Sequence, residues 1–369
     1  MAELNKKIIF TVTNDLTYDQ RMQKIGRSLC HAGYVVELVG RALKTSCELS
    51  TEPYKQTRLN CIFNKGKLFY IEYNIRLFFY LLYQKMDGIC AVDLDTIAPV
   101  YFAGKLKSAK LIYDAHEYFT EVPEVVNRPL VKKVWQWVEK TFVPKFELIY
   151  TVSPTLAKLF AEKYYKEVGV IMNAPVLVNY VSHTYSEQKL PVLVYQGALN
   201  EGRGLENLIA AMQHINGCLL IAGEGDLSDE LRGLSKQLNL ENKITFLGYV
   251  KPAYLTKITS EATIGINLLE NKGLSYYYSL SNKFFDYIQA RVPQVCIGFP
   301  EYQTLNEKYG VAVLVKDCSV TEITSAINEL IYNKTLYEEL QEKCDFCSLI
   351  LNWQQEEKKL VAYYHELFR

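Results

Sequence analysis

Short apolar runs alternate with helix-forming stretches along almost the whole chain, and this alternation limits the possible folds more than any other feature. The first run, Lys7 to Val12, is continuous, which is typical of a strand buried on both faces. A helix from about Gln20 to Ala32 follows, ends at Gly33, and leads into a second strand, Tyr34 to Val39. A strand–helix–strand order predicts a right-handed crossover and parallel pairing. The chain therefore belongs to the α/β class.

A break in this alternation predicts two domains. The stretch from Val178 to Leu190 is polar and unpatterned, and we interpret it as a linker, because a second alternation begins at Pro191. The predicted domains are 1–178 and 190–350, followed by a terminal segment, 351–369, and 369 residues suffice for two separate cores. The last helix, about Trp353 to Phe368, either packs on its own domain or crosses back to the first.

Composition excludes several classes of protein. Hydrophobic residues make up 49% of the chain, which excludes disorder, and 41 basic residues balance 41 acidic ones, which argues against nucleic-acid binding. The nine cysteines are scattered, and Cys344 and Cys347 form an isolated Cys-x-x-Cys, so we expect reduced thiols and a cytoplasmic location. Met1 to Lys7 is polar and shows no signal peptide.

The most apolar helix candidate, Leu68 to Tyr83, is too interrupted for a membrane span. Its longest apolar run, Leu77 to Tyr83, has seven residues, whereas a span needs roughly 20. Aromatic side chains in this segment, with Lys65, Lys67, Arg76 and Lys85 around it, suit either the protein core or the surface of an anionic membrane. We keep peripheral membrane contact as the alternative to core packing.

The stretch from Ser281 to Pro293 combines a predicted helix start with a basic side chain. Ser281 or Asn282 can cap the helix, and Lys283 lies in its first turn. A cation is unfavourable there for the helix macrodipole, so its presence beside free N–H groups indicates an anionic ligand such as phosphate. The alternative is a core helix with a solvated Lys283 and Asp286.

A glycine-rich loop at 197–204 lies after the first strand of the second domain. Gly197, Gly202 and Gly204 let the backbone approach a ligand closely, and Arg203 can form paired hydrogen bonds with phosphate oxygens. The loop is neither a P-loop nor a complete dinucleotide fingerprint, and an ordinary glycine-rich turn remains the alternative.

Ionisable residues follow two strands of the first domain. Asp93 and Asp95 come after the strand at 88–92, and Asp114, His116 and Glu117 come at the end of the strand beginning at Leu111. Carboxyl ends of parallel strands meet at one edge of the sheet, where α/β enzymes keep their sites. The loop after the first strand, with Asn14 and Asp15, faces the same edge. The spacing does not match a metal site.

The stretch Asn282-Lys283-Phe284-Phe285-Asp286-Tyr287 resembles the donor-site motif of the retaining GT-B glycosyltransferases of family 4. Four further motifs resemble the acceptor domain of that family: Asp93-Leu-Asp-Thr96, Tyr113-Asp-Ala-His-Glu117, Thr151-Val-Ser-Pro154 and Ile171-Met-Asn-Ala-Pro175. The resemblance covers essentially the whole chain, and its donor half is the more specific.

The resemblance implies two Rossmann-like domains facing across a cleft, with the C-terminal helix crossing back to the first. It implies transfer of a sugar, with retention, from a UDP- or GDP-sugar to a sugar or lipid-linked acceptor in bacterial-type polysaccharide or glycoconjugate synthesis. No cofactor or metal is implied, because the second domain contains no Asp-x-Asp pair; Asp93-Leu-Asp95 has that spacing but lies in the first domain. The donor contacts are expected from Gly197, Arg203, Gly204, Glu224, Gly225, Val250, Asn282, Lys283 and Asp286.

Particular roles follow from the same resemblance. Arg203 and Lys283 are expected to stabilise the diphosphate, and Asp286 to bind the ribose hydroxyls. The chain departs from the family at Tyr278, where a glutamate is usual, and at Ala198, where an arginine is usual. The first departure concerns the sugar contacts, and the second leaves the diphosphate more dependent on Arg203 and Lys283.

On the acceptor side, a histidine of the family lies near the transferred sugar, and His116 is the candidate. The alternative is a structural His116, bonded to Glu117 or to backbone. The other acceptor-side residues are expected to be Asn14, Asp15, Asp93, Asp95 and Glu117.

Arg21, Lys24 and Arg27 recur every three residues and predict a basic stripe on the first helix. We interpret the stripe either as a solvated face or as a contact to an anionic acceptor or lipid. Two other functions are compatible with the fold: a nucleotide-sugar epimerase, which would turn over without an acceptor, and a two-domain small-molecule binding protein.

Overall fold

The computed structural model describes residues 5–178 and 190–369 and divides the chain into two compact units. The first unit comprises Met1–Asn173 with Glu356–Arg369, and the second comprises Ala174–Gln355. Apart from its two end residues, the predicted linker, Val178 to Leu190, lies outside the described residues.

In the described part of the chain, the first unit contains a parallel sheet with the strand order β3-β2-β1-β4-β5-β6-β7. The strands are β1 (Lys7–Thr11), β2 (Val35–Ala42), β3 (Lys55–Asn60), β4 (Gly88–Val92), β5 (Lys110–Ala115), β6 (Leu148–Thr151) and β7 (Gly169–Val170). The helices are α1 (Gln20–His31), α2 (Gly66–Leu82), α3 (Ile97–Lys107), α4 (Pro123–Val126), α5 (Pro129–Phe142) and α6 (Pro154–Tyr164). The order of the first six strands is that of a Rossmann fold.

Strand β3 lies at an edge of this sheet, and the sequence pattern did not indicate it. Its residues, Lys-Gln-Thr-Arg-Leu-Asn, include a single apolar side chain and are mostly half-buried. The strand pairs in parallel with β2 at the sheet edge, where burial on two faces is not required.

The second unit repeats the architecture, with the strand order β10-β9-β8-β11-β12-β13 among the described residues. Its strands are β8 (Val192–Gln196), β9 (Cys218–Ala222), β10 (Ile244–Gly248), β11 (Ile264–Asn267), β12 (Gln294–Ile297) and β13 (Ala312–Val315). The helices are α7 (Leu205–Ala211), α8 (Ser228–Gln237), α9 (Pro252–Glu261), α10 (Leu274–Tyr277), α11 (Asn282–Gln289), α12 (Pro300–Tyr309), α13 (Val320–Tyr332) and α14 (Lys334–Ser348). Because every pairing is parallel, the loops after β8, β9, β11 and β12 leave the same edge of the sheet.

The last helix, α15 (Trp353–Leu367), packs mainly on the first unit. Tyr364 is fully buried, with its ring centroid 6.2 Å from that of Phe10 and 6.1 Å from that of Tyr34. Its hydroxyl lies 3.2 Å from the hydroxyl of Tyr150. The crossing back implied by the family resemblance is therefore present, and packing of this helix on the second unit was the wrong alternative.

Candidate functional site

The glycine-rich loop after β8 is held close to the loop after β9. Gly197 has a φ of +134° and Gly223 a φ of +149°, and a Cβ on Gly223 would lie 1.9 Å from the carbonyl oxygen of Gly197. Any side chain at Gly223 would push the two loops apart. Gly204, with a φ of +65°, then turns the chain into α7.

Arg203 lies between Gly202 and Gly204, and its guanidinium carbon is 5.1 Å from the ring centroid of Tyr276. Its Nε is buried without a hydrogen-bond partner in the described part of the chain. A buried guanidinium N–H is usually hydrogen-bonded. The aromatic ring supports the cation from one side and leaves its donors for another group.

Lys283 lies in the first turn of α11, and the residue is 8% exposed. Its Nζ is 3.9 Å from the ring centroid of Tyr195, and a Cβ on Gly197 would lie 3.6 Å from the same nitrogen. Within residues 5–178 and 190–369, this ammonium group makes no hydrogen bond or ion pair. The prediction that Lys283 is solvated, the alternative considered from the sequence, is therefore wrong.

The electrostatic environment of Lys283 disfavours its own charge. Burial lowers the pKa of the ammonium well below its usual range, and the positive charge of Arg203 lowers it further. Cys296 and Asp286 oppose this decrease without reversing it. Two cations are thus held together in a protected position, an arrangement that an anion between them would stabilise.

Asp286 lies one helical turn after Lys283, on the same helix. Its Oδ2 accepts a hydrogen bond of 2.7 Å from the side-chain amide of Gln196, at the end of β8. The amide oxygen of Gln196 in turn accepts a hydrogen bond of 2.7 Å from Thr259 on α9. Gln196, which the sequence analysis did not single out, therefore fixes the orientation of the Asp286 carboxylate.

The start of α11 differs in detail from the predicted cap. Ser281 is the N-cap residue, but its side chain makes no capping hydrogen bond. Its hydroxyl instead donates to Asn267 Oδ1 over 2.9 Å, and its backbone N–H donates to the hydroxyl of Tyr302. Asn282, a predicted donor contact, is exposed at the same helix start. The side chain of Ser281 therefore does not cap this helix.

The remaining predicted donor residues follow β9 and β10. Glu224 pairs with Arg232 over 2.6 Å, and this hydrogen bond lowers the pKa of Glu224. The N–H of Gly225 donates to Ser228, and Val250 is half-buried after β10. Their roles in donor binding stay predictions.

In the first unit, β4 and β5 bring Asp93, Asp114 and His116 together. The backbone N–H of His116 donates to Asp93 Oδ1 over 2.9 Å, and ring Nε2 of His116 lies 3.1 Å from Asp114 Oδ2. Asp93 has a φ of +57° and a ψ of −179°, a conformation that non-glycine residues rarely adopt. A partner of the ring is thus Asp114, and the alternative of a structural His116 stays open.

These contacts determine the charge state of His116. Burial by itself lowers the pKa of the imidazole, but the carboxylates of Asp114 and Asp93 outweigh burial and raise that pKa to about 9. Burial also raises the pKa of Asp93, and the nearby Glu117 and Asp95 add to this increase. His116 is therefore a cation near neutral pH.

Asp95 lies at the same edge of the sheet but bonds Thr13. Its Oδ2 accepts a hydrogen bond of 2.5 Å from Thr13, and burial raises its pKa to about 6. Asn14 and Asp15 make other contacts: Asn14 donates to Asp19, and Asp15 accepts from Ser46. Glu117 is exposed. Of the predicted acceptor residues, Asp93 accepts a hydrogen bond from the backbone of His116.

The prediction of a solvated basic stripe on α1 is wrong for Arg21 and holds for Arg27, whose side chain is 48% exposed. Arg21 is 4% exposed and forms a buried ion pair with Asp114, with 2.9 Å between Nη2 and Oδ1. Lys24 donates to Asn173, and Arg27 pairs with Glu52 over 2.6 Å. The three-residue spacing correctly placed these residues along α1, but each meets a polar partner of the same unit.

Within 5–178 and 190–369, no group of three or more His, Cys, Asp or Glu side chains is arranged to hold a metal ion. The helices of these ranges include none with the length and hydropathy needed to cross a bilayer.

Comparisons with known proteins place this geometry in context. Residues 183–345 match the family model described as glycosyl transferases group 1. An uncharacterized glycosyltransferase of Methanocaldococcus jannaschii is 38% identical over 77 residues, a match that spans 20% of this chain and 20% of that protein.

Solved structures resemble the chain over nearly its whole length. A sucrose-phosphate synthase from Thermosynechococcus elongatus is 17% identical, with a TM-score of 0.81 over 98% of this chain and 99% of that one. Anabaena HepE, in complex with UDP-glucose, is 13% identical, with a TM-score of 0.74 over 98% of this chain and 100% of that one. The predicted fold class, two Rossmann-like domains of the GT-B type, is confirmed, and the sequence matches support the predicted transferase activity.

Proposed function

We propose that this protein transfers a sugar, with retention, from a nucleotide diphosphate sugar to an acceptor hydroxyl in polysaccharide or glycoconjugate synthesis. The observation that carries the proposal is the pair of cations, Arg203 and Lys283, held together without an anionic partner in the described residues. A diphosphate neutralises both and accepts hydrogen bonds from both. The UDP-glucose complex of HepE, a protein of the same fold, supports a nucleotide-sugar donor.

Each donor-side residue has a defined task in this reaction. Arg203 and Lys283 stabilise the negative charge that develops on the leaving diphosphate as the glycosidic bond breaks. Asp286, oriented by Gln196, accepts hydrogen bonds from the ribose hydroxyls. The leaving diphosphate assists removal of the proton from the incoming hydroxyl on the same face of the sugar, so a protein nucleophile is not required and the configuration is retained. On the first unit, His116, Asp93 and Asp95 serve the acceptor.

Binding of the donor is testable before an acceptor is identified. Thermal shift and calorimetry with UDP, GDP, ADP and their sugars should show stabilisation by one nucleotide series, since a ligand at 100 times its Kd stabilises by about 2.7 kcal/mol. Arg203→Ala should lose this stabilisation, and Lys257→Ala is the matched control, because Lys257 is exposed on α9 of the same unit. Absence of binding by every nucleotide would refute the donor site, and conversion of the nucleotide sugar without an acceptor would favour an epimerase.

Retention is tested by the product. Once turnover with an acceptor is found, the anomeric coupling constant in the proton NMR spectrum of the first product reports its configuration. An inverted product would show that Tyr278, at the position of the family's usual glutamate, accompanies a different mechanism.

We propose that α2, α3 and α5 form a surface that binds a membrane on which the acceptor is presented. Helix α2 buries one row of side chains, including Phe69 and Leu77, against the sheet. A second row on α2 and further apolar residues on α3 and α5 are more than half exposed: Leu68, Ile71, Ile75, Phe79, Tyr83, Phe102, Leu106, Leu130, Val134 and Trp137. One face of α2 is therefore core, and membrane contact through the exposed face stays a prediction.

The three helices lie side by side. The ring of Tyr70 on α2 is 5.9 Å from that of Trp135 on α5, and Phe102 on α3 is 5.8 Å from Phe142 on α5. In a chain without net charge, these helices carry an excess of basic residues: Lys67, Arg76, Lys105, Lys107, Lys132, Lys133 and Lys140 against Glu72 and Glu139. Both acidic residues are ion-paired. Exposed apolar side chains with basic residues around them fit an anionic bilayer surface, where each basic residue contributes about 1 kcal/mol.

Flotation with anionic and neutral liposomes, at low and high salt, tests this surface. We expect binding to anionic vesicles that Ile75→Glu with Phe79→Glu abolishes, while Phe346→Glu, an equally exposed change on α14 of the second unit, leaves it intact. Binding equal for all three proteins, or none to any vesicle, would refute membrane contact. Dimerisation through the same residues, detected by gel filtration, would identify a second copy as the occupant instead.

A further inference from the structure

The buried ion pair between Arg21 and Asp114 connects α1 with the end of β5. Arg21 Nη2 lies 2.9 Å from Asp114 Oδ1, Arg21 Nε lies 3.2 Å from Oδ2, and Arg21 Nη1 donates to the carbonyl of Ile171. Asp114 is fully buried. The arginine thereby holds both oxygens of the carboxylate in one plane, a geometry that a lysine cannot reproduce.

His116 is the end of this chain of contacts that reaches the solvent. Its Nε2 lies 3.1 Å from Asp114 Oδ2, its backbone N–H is bound by Asp93, and its side chain is 24% exposed, compared with 4% for Arg21. The opposite ring nitrogen, Nδ1, is 3.9 Å from Asp93 Oδ2, beyond hydrogen-bonding distance. One edge of the ring is thus fixed on the buried carboxylate, and the other edge keeps an N–H for a ligand.

We propose that Arg21 and Asp114 are positioning residues for His116: the arginine fixes the carboxylate, and the carboxylate fixes the ring with its Nδ1 edge directed to the acceptor. The proposal rests on the acceptor-side role of His116 given above. A buried ion pair with no further task is often replaceable by apolar side chains of similar volume at no loss of stability. Here the carboxylate of Asp114 also binds the ring of His116, and such a replacement would remove this contact.

The charged groups around the ring determine what removal of the pair does. Asp114 on β5 and Asp93 after β4 favour the imidazolium, Arg21 on α1 disfavours it, and burial disfavours it most. Asp95 also lies close enough to act electrostatically with His116, and Glu117 acts on Asp93. Neutralising Arg21 and Asp114 together leaves burial opposed mainly by Asp93, so the pKa of His116 should decrease from about 9 toward its ordinary 6.5.

The experiment follows the imidazole by NMR titration in the parent and in the double variant Arg21→Met with Asp114→Asn. The double change avoids an unpaired buried charge, and a His116→Gln variant assigns the signal among the five histidines. The control is Arg27→Met with Glu52→Gln, which removes an ion pair of the same helix whose arginine is 48% exposed. We expect the His116 titration to move to lower pH in the double variant alone.

Turnover provides the second readout, measured as UDP release from UDP-glucose with water as the acceptor. In the double variant, kcat should fall at least tenfold near neutral pH and recover at lower pH, where the ring regains its proton. The KM for UDP-glucose should stay unchanged, since its contacts lie in the second unit. Arg21→Lys keeps the charge but loses the paired contacts, so it should lower kcat without moving the His116 titration. This variant also tests the proposal if the double variant does not fold.

Three results would overturn the proposal. They are a parent-like His116 titration in the double variant, a loss of kcat that is equal at every pH, and a parent-like kcat in Arg21→Lys. The NMR titration requires no turnover, so it decides the positioning of His116 even if transfer from UDP-glucose is not observed and the proposed function fails.

Discussion

Replacing Lys283 by methionine should weaken donor binding and at the same time stabilise the empty protein. Lys283 is almost fully buried beside Arg203, and the described residues offer it an aromatic ring but no hydrogen bond or ion pair. The charge is therefore unfavourable until an anion arrives. Methionine has a similar length and no charge, so it fills the same space over Tyr195.

The two effects have opposite signs and can be given magnitudes. Loss of a charge-assisted hydrogen bond to the diphosphate weakens binding by roughly 1.5–3 kcal/mol, or by about ten- to 150-fold in Kd. Removal of a buried charge without a counterion should stabilise the empty protein by about 1 kcal/mol or more. For a unit of this size, each kcal/mol corresponds to about 2–4 °C in Tm.

The dependence on pH follows from the lowered pKa of Lys283. Because its folded-state pKa lies below the ordinary 10.5, the ammonium destabilises the folded protein fully at pH values below the folded-state pKa. This destabilisation decreases as the pH rises and disappears near the ordinary value. The Tm advantage of Lys283→Met over the parent should therefore shrink as the pH is raised.

Calorimetry with the preferred nucleotide measures the first effect, and thermal unfolding of the ligand-free protein measures the second. Lys257→Met is the control, because Lys257 is exposed on α9, 3.9 Å from Glu261, and should change neither quantity by a comparable amount. Parent-like affinity in Lys283→Met would show that the diphosphate binds elsewhere. A lower Tm without ligand would show that Lys283 stabilises the empty fold and that its burial is structural.

Three further predictions concern the same site. Arg203→Ala should weaken diphosphate binding by roughly 1.5–3 kcal/mol in calorimetry, whereas Lys257→Ala should not, and equal values for the two would argue against Arg203. Asp286→Asn should preserve the Tm and lower nucleotide affinity, and the parent should prefer ribose over 2′,3′-dideoxyribose nucleotides; no such preference would refute the ribose role. Binding of a nucleotide sugar should take up a proton where Lys283 is neutral, since the diphosphate raises its pKa, so affinity should fall as the pH rises. Calorimetry in two buffers of different ionisation enthalpy detects this proton, and identical enthalpies from pH 7 to about 9 would contradict it.

Most of the fold could be predicted from the sequence, because strands buried in a parallel sheet are continuous runs of apolar residues. Strands β1, β8 and β12 are of this kind, and glycines mark several turns between elements. Strand β3 was not predicted, because an edge strand with one apolar residue has no such pattern. The partner of the Ser281 side chain was not predicted either. The Ser281 hydroxyl contacts Asn267 at the end of β11 instead of capping α11.

Residues of the candidate site could be predicted from the sequence only where the residue type is unusual for its place in a helix or loop. Lys283 is a cation at a helix start, and Arg203 is a cation between two glycines, so each can be identified as a candidate from the sequence alone. Tyr195, Tyr276 and Gln196 complete the site through contacts between distant segments. An aromatic residue at the end of a buried strand looks like ordinary core, and a lone glutamine carries no signal.

Arg21 and Lys283 show why burial of a positive charge has to be read together with its partner. Both residues are nearly inaccessible to solvent, and both lie in the first turn of a helix. Asp114 neutralises Arg21 and outweighs burial, so the pKa of Arg21 rises, whereas burial beside Arg203 lowers the pKa of Lys283. A neutralised buried cation can hold other groups in place, as Arg21 does for Asp114. A buried cation without a counterion makes the empty protein less stable, and a ligand that supplies the missing negative charge would offset this cost.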